Sequence, residues 1–304
     1  MSDKKILVIG SSNTDMVIKA DRLPLPGETV IGGRFFMNPG GKGANQAIAA
    51  ARLGGKVTLI CKTGNDIFGK QSVELFKSEG INTNYLFSDT KNPSGVALIT
   101  VDANGENCIV VASGANASLS PADIEIARAE VEQSDIVLMQ LEIPIETVEF
   151  AAAMASKKGG KVILNPAPAR TLSEKLLKSL YMITPNKGEA EMLSGIKVTD
   201  WESAKRAADV IRAKGVNIVV VTLGSLGALI AENNKYYQVE AYKVDAVDTT
   251  AAGDTFSGAL CVALSEGKSI VDSVKFAAKA SALTVTKMGA QSSIPHRTEL
   301  SVLD

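Results

Sequence analysis

The sequence predicts an α/β protein: a doubly wound, mostly parallel sheet with helices on both faces. Residues 5–10, 57–61, 135–141, 161–164, 181–184 and 217–221 form short runs that are almost wholly apolar. This is how strands buried on both faces of a parallel sheet read. Helical patterns over 44–53, 70–78, 121–132 and 146–157 alternate with them, with a further short strand near 85–87, and that alternation builds a parallel sheet wrapped in helices. One segment breaks the rhythm. Runs at 96–101 and 108–111 flank Asp102-Ala103-Asn104-Gly105-Glu106, a hairpin whose turn contains Asn-Gly. Its strands either leave the main sheet or form an antiparallel edge of it. No linker, composition shift, repeat or low-complexity run divides the chain, which reads as one domain over 1–304.

Composition narrows the function. With 304 residues and 45% hydrophobic content the chain can fill a substantial core. Thirty-two basic against 33 acidic residues leave a net charge of -1, so neither nucleic acid nor a membrane surface is an expected partner. Cys61, Cys108 and Cys261 lie far apart and His296 is the single histidine; a zinc site, a disulfide framework and a Ser-His-Asp hydrolase are all unsupported. The apolar run at 6–9 is too short for a signal-peptide core, and no uncharged stretch nears the ~20 residues that span a bilayer. A cytoplasmic protein is expected.

In chain order, the strand at 5–10 ends in Ser11-Ser12-Asn13-Thr14-Asp15. Polar residues at the carboxyl end of such a strand line the ligand crevice of an open α/β sheet, although Asn13 and Asp15 could equally cap a turn. The glycine-rich run Asn38-Pro39-Gly40-Gly41-Lys42-Gly43-Ala44-Asn45-Gln46-Ala47 permits close backbone approach to a ligand. It is not a P-loop, and no dinucleotide fingerprint is present. Further strands end in Gln140-Leu141-Glu142, Asn165-Pro166-Ala167-Pro168, Thr184-Pro185-Asn186-Lys187-Gly188-Glu189 and Thr222-Leu223-Gly224-Ser225-Leu226-Gly227. Parallel strands present these ends along one crevice; Asn186 with Glu189 three residues on also suits a helix cap, and the glycines after Thr222 suit a tight turn.

Near the C-terminus, Phe256, Leu260, Ala263 and Leu264 recur at helical spacing. The first turn of that helix therefore lies around 252–255. Its unpaired N–H groups and positive dipole end, behind the small residues Ala251, Ala252 and Gly253, suit a phosphate. By position alone, Asp254 reads as a favourable first-turn acid.

The runs GSSNTD at 10–15, NPGGKGANQA at 38–47, NPAPA at 165–169, DTTAAGDTFSG at 248–258 and GAQSS at 289–293 resemble, in order, the signatures of the ribokinase (PfkB-type) sugar kinase family. The resemblance extends from Ile6 to about Pro295 and implies a ribokinase-like fold with a small β-sheet lid inserted at about 15–39 and 94–112. It implies ATP-dependent phosphorylation of D-ribose at O5. Asp254 would be the catalytic base and Ala251, Ala252 and Gly253 the anion hole. Asn13, Asp15, Gly40, Gly41, Lys42, Asn45, Glu142 and Asp254 would bind the sugar. Asn186, Thr222, Leu223, Gly224, Ser225, Leu226, Gly227 and Gly253 would bind ATP, with Asn186 and Glu189 organising Mg2+ through water. Potassium would lie among Asp248, Thr250, Thr284, Lys287, Gly289 and Ser293, with Lys287 offering only its carbonyl because its ammonium is a donor. The family also implies a homodimer joined through the lids. Fructokinase, deoxyribokinase or adenosine kinase activity are the alternatives within the class, and a non-catalytic sugar-binding protein is the alternative outside it.

Overall fold

A computed structural model describes residues 2–303. The first strand, β1 (Lys5–Ile9), shows why the runs read from sequence are apolar throughout. Ile6 and Val8 enter one hydrophobic cluster, Leu7 and Ile9 enter another on the opposite face of the sheet, and all four are fully buried. Each such side chain contributes about 1.5–3 kcal/mol by leaving water.

The chain then leaves the main sheet. β2 (Asn13–Lys19) and β3 (Arg34–Gly40) come next, followed by α1 (Lys42–Arg52), β4 (Lys56–Gly64), α2 (Ile67–Ser78) and β5 (Asn82–Asp89). The hairpin is β6 (Gly95–Val101) and β7 (Asn107–Ala112). Regular alternation resumes with α3 (Pro121–Ile126), α4 (Arg128–Gln133), β8 (Ile136–Met139), α5 (Ile145–Lys157), β9 (Lys161–Leu164), α6 (Glu174–Ser179), β10 (Met182–Ile183), α7 (Lys187–Ser194), α8 (Trp201–Ala213) and β11 (Ile218–Thr222). A second hairpin, β12 (Ala228–Glu232) and β13 (Lys235–Val239), precedes the paired helices α9 (Ala252–Ser265) and α10 (Ile270–Thr284).

Among the described residues, nine strands form the main sheet in the order β13-β12-β11-β10-β9-β8-β1-β4-β5. From β5 to β11 all run parallel, while β12 and β13 finish one edge antiparallel. Helices α1, α9 and α10 pack one face with Phe76 of α2, and α3 to α8 pack the other. Among the described residues no helix is long and apolar enough to cross a membrane.

Four strands, β3-β2-β6-β7, form a separate smaller sheet. The 96–111 hairpin therefore leaves the main sheet and is not its antiparallel edge. Register gives this sheet two different faces, because successive side chains point opposite ways. One row runs Asn38–Asp15–Ala97–Val111, and the next runs Met37–Met16–Leu98–Val110 on the other side. Asp15 thus shares a face with buried Val17, while Met37, Leu98 and Val110 are 51%, 55% and 68% exposed.

Two boundaries differ from expectation. The helix expected over 121–132 is broken at Ala127, which leaves the helical region with φ -90° and ψ 10°. Ile124, Ala127 and Val131 are nonetheless all fully buried, so the apolar face continues across the break. The helix expected to begin at Ala44 begins at Lys42, behind Gly41.

Candidate active site

Gly41 sits at φ +88°, and a Cβ there would come within 2.7 Å of the Asn13 N–H nitrogen. Only glycine therefore lets α1 start against the chain that leaves β1. That approach brings Lys42 to the carboxyl edge of the sheet, where the Glu142 carboxylate receives the Lys42 N–H at 3.0 Å and the Ser11 hydroxyl at 2.5 Å. Asn13 is fixed as well. Asn116 donates to its Oδ1 at 2.7 Å while exchanging hydrogen bonds with the Ser12 backbone at 2.9 and 3.1 Å.

Asp254, in the first turn of α9, is buried at 6% exposure. Asn45 Nδ2 donates to its Oδ2 and Gln46 Nε2 to its Oδ1, both at 2.9 Å. Burial pushes its carboxyl above the ordinary carboxylate value, although the Lys42 charge and the two amide donors pull the other way. Burial would lower the Lys42 ammonium, but the charges of Asp254, Glu142, Glu189 and Asp15 outweigh it and hold the group above its usual value. Asp15, desolvated and facing Glu142 and Asp254, is pushed up to about 6. Four carboxylates, three from separate elements and Glu142 from the loop after β8, thus surround one ammonium.

A cavity of about 210 Å³ opens beside this cluster, lined by Lys42, Asn165, Thr184, Asn186, Glu189, Thr222, Ala251, Ala252, Gly253 and Asp254 among others. Ala251 adopts the left-handed conformation, φ 59°, and Ala252 N–H reaches the Thr249 carbonyl at 3.3 Å. The next N–H groups, of Gly253 and Asp254, have no carbonyl four residues back within the helix. A Cβ added at Gly253 would meet nothing within 4 Å. The start of α9 is therefore open, and its dipole favours an anion.

Asn186 and Glu189 do form a capping box on α7, with Glu189 N–H to Asn186 Oδ1 at 2.9 Å and Asn186 N–H to Glu189 Oε2 at 2.8 Å. Both also line the cavity, so the cap fixes them where a ligand can reach them. Burial holds the Glu189 carboxyl above its usual value, against the Asn186 N–H and Lys42. Of the 222–227 loop, Thr222 lines the cavity. Leu223 is fully buried in the core, so only its backbone could meet a ligand. Gly224, Ser225 and Leu226 form one short helical turn, with Gly227 at φ +107° after it.

The residues expected around a monovalent cation meet in part. Asp248 accepts the Thr250 N–H at 2.9 Å and hydroxyl at 2.6 Å, and its other oxygen accepts the Gly289 N–H at 2.9 Å. The Thr284 hydroxyl is turned inward to Thr255 and the Ala280 carbonyl, and that of Ser293 to the Ala290 carbonyl. Lys287 Nζ is drawn to Glu299 at 2.5 Å. Two segments far apart in sequence are thus held together at the entrance to α9. No group of three or more His, Cys, Asp or Glu among the described residues forms a metal site.

Sequence reasoning gave no role to Gln46, Asn116 or Gln291, whereas Asn165 and Thr184, read as strand ends along one crevice, do line the cavity. Gln291 Nε2 donates to Asn45 Oδ1 at 3.1 Å and so joins the 289–293 run to the Asp254 cluster. The available signal was a polar residue inside an otherwise apolar helical run, as at Gln46 between Ala44 and Ala47.

At the carboxyl edge of a parallel sheet, a buried carboxylate thus stands beside an open helix start that suits an anion, with Asp15 of the smaller sheet facing it. The pfkB family carbohydrate kinase model matches residues 3–297, and the chain belongs to that family. Ribokinase of Haemophilus influenzae is 47% identical over 97% of both chains. A deoxyribokinase of Salmonella typhimurium is 39% identical over 95% of both. The structure of Arabidopsis thaliana ribokinase complexed with ribose and ATP matches with a TM-score of 0.91 at 34% identity, covering 100% of this chain and 99% of that one.

Proposed function

We propose that the protein is an ATP-dependent kinase that phosphorylates D-ribose at O5. The observation that carries this is Asp254, a buried carboxylate held by two amides beside the open start of α9. In the reaction Asp254 takes the proton of the O5 hydroxyl as the O5–Pγ bond forms and the bond from Pγ to the ADP oxygen breaks. A carboxyl raised above its usual value is a better proton acceptor near neutral pH than an exposed one. The N–H groups at Gly253 and Asp254 face the charge that develops on the transferred group. Asn13, Asp15, Gly40, Gly41, Lys42, Asn45 and Glu142 hold the sugar, and the Asn186 and Thr222 side of the cavity takes the nucleotide together with the 223–227 backbone.

Magnesium suits the Asn186 and Glu189 side, since Glu189 is a hard oxygen donor on the cavity wall. When bound it supplies charge neutralisation on the nucleotide phosphates. A potassium ion would lie between the 248–250 turn and the 284–293 loop, two segments that Asp248 already joins through the Gly289 N–H. There it would steady the turn leading to Ala251. Turnover in potassium chloride is expected to exceed that in tetramethylammonium chloride at equal ionic strength; equal rates would remove the ion from the account. The smaller sheet acts as a lid over the sugar. Its outward apolar face joins two copies, and the unpaired Cys61, Cys108 and Cys261 suit a reducing cytoplasm.

The deciding experiment is ADP release across pentoses, 2-deoxyribose, hexoses and nucleosides. Ribose should give the highest kcat/KM, and Asp254→Asn should lower turnover by about 10²–10⁴ while leaving sugar binding nearly intact. Preference for 2-deoxyribose or a hexose would reassign the substrate, and absence of ADP with every sugar would leave a sugar-binding protein.

A further inference from the structure

Gln46 is fully buried on α1 and cannot touch sugar or nucleotide. Yet its amide is committed at every hydrogen-bonding atom. One N–H goes to Asp254 Oδ1 at 2.9 Å and the other to Asn165 Oδ1 at 3.0 Å, and both acceptors belong to residues that line the cavity. The Gln46 oxygen accepts from Gln140 Nε2 at 2.6 Å, which fixes the direction of the amide: its nitrogen must face the two acceptors. Gln140 in turn lies against Gly10, where a Cβ would come within 2.0 Å of its Oε1. That oxygen has no partner among the described residues.

A buried unpaired carbonyl is costly and calls for an explanation. Packing alone does not provide one, since apart from Asn45, which also donates to Asp254, the neighbouring buried positions of α1 are small or apolar: Gly43, Ala44, Ala47, Ile48, Ala49 and Ala50. An apolar side chain at 46 would remove the need for Gln140 and for the space kept at Gly10. What the amide chain does achieve is to hold two cavity residues from different elements, Asp254 of α9 and Asn165 after β9, in one fixed relation.

We propose that Gln46 is a positioning residue for phosphoryl transfer, holding the Asp254 carboxylate in the rotamer that faces the cavity and tying it to Asn165. The inference rests on the reading of Asp254 as the base. With Gln46 in place Oδ1 is anchored and Oδ2 is anchored by Asn45; the carboxylate cannot swing about its terminal torsion, and the geometry for proton transfer is set before substrate arrives. The charged groups facing Asp254 are Lys42 from α1, Glu142 after β8, Asp15 from β2 and Glu189 from α7. Among them the Gln46 donor favours the ionised carboxylate. Removing it must therefore shift ionisation of the base to higher pH.

Gln46→Met keeps bulk and removes the amide. Turnover should fall about 10- to 100-fold, the loss expected for a hydrogen bond to a charged group, with KM for sugar and ATP within about threefold. The acidic limb of the kcat/KM profile should move to higher pH. Unchanged turnover with an unmoved acidic limb would overturn the proposal. So would lowered thermal stability and raised KM without movement of that limb, because these mark a purely structural role. If the methionine variant does not fold, Gln46→Leu, which also lacks the amide and adds no charge, is judged by the same two readouts. Wild-type protein inactive on ribose but active on another sugar would refute the substrate reading alone, and the comparison would be made on that sugar. Wild-type protein inactive on every sugar would refute both.

Discussion

Burial, Glu142 and Asp254 push Asp15 from 3.8 to about 6, so the folded chain holds a proton there more tightly than the unfolded chain does. The sign follows from linkage. Relative stability is fully present below about 3.8 and is lost as pH rises through about 6, because the folded state must then carry an ill-solvated carboxylate. Asp15→Asn removes that charge. It should raise stability at pH 7–8 by about 1–3 kcal/mol, with the gain shrinking towards pH 4, and should weaken ribose binding by about 1.5–3 kcal/mol. Thermal melts across pH and calorimetric titration with ribose read the two effects. A melt difference independent of pH would mean that the carboxylate is not strained by its neighbours. Asp15 itself was legible in the sequence because it follows a buried strand. Its neighbours Glu142 and Asp254 come from segments more than a hundred residues away, so only the family resemblance, and not the local pattern, put them beside Asp15; the sheet order is what brings them together. Gln46 carried only a faint signal for a related reason: an amide in an alanine-rich helix reads as an ordinary polar position until the packing of α1 against α9 buries it.

At the level of elements, the start of α9 concentrates the unusual backbone. Ala251 at φ 59° costs about 1–2 kcal/mol relative to an unstrained residue, and the turn persists because both Thr249 and the Asp248–Gly289 bridge hold it. Gly253, two residues on, is not required by sterics, because an added Cβ has open space. Gly253→Ala should therefore leave thermal stability unchanged or raise it by up to ~1 kcal/mol. It should lower turnover by about tenfold or more if, as proposed, the transferred phosphoryl group occupies the space that the methyl group would enter. A variant with wild-type kcat would show that no anion approaches this turn. Helix α9 was readable from its spacing, and so were the buried strands, because their apolar runs end in polar residues at one edge. The start of α1 was hidden behind Gly41 and Lys42, since paired glycines announce a loop and only contact with Ser11 and Asn13 makes the helix begin early. The break at Ala127 had no local signal at all: no glycine or proline marks it, and the residues around it keep helical spacing.

For the whole molecule, the smaller sheet poses a solvation problem. One face carries Asn13 and Asp15 towards the site, and the other exposes Phe35, Met37, Ile18, Leu98 and Val110, in rows set by the strand register. A patch of this kind, on a sheet whose edges β3 and β7 are unpaired, is normally covered. A second copy of the chain supplies a matching apolar face by symmetry, because a two-fold interface is self-complementary. It would also stiffen the strand that carries Asp15, since Met16 and Asp15 are neighbours on opposite sides of β2. Light scattering should thus give a dimer mass at micromolar concentration. Leu98→Asp places a carboxylate in the middle of the Met37–Met16–Leu98–Val110 row. Leu98 is 55% exposed in the single chain, so the substitution should barely disturb folding. Across an interface the same carboxylate would be buried without a partner, at a cost of several kcal/mol, enough to raise the dimer dissociation constant more than about a hundredfold. The expected result is a folded protein of monomer mass with weaker ribose binding and an intact thermal transition. A wild-type protein that runs as a monomer, or a Leu98→Asp variant that stays dimeric, would place the contact elsewhere and leave the apolar face as a wall of the lid.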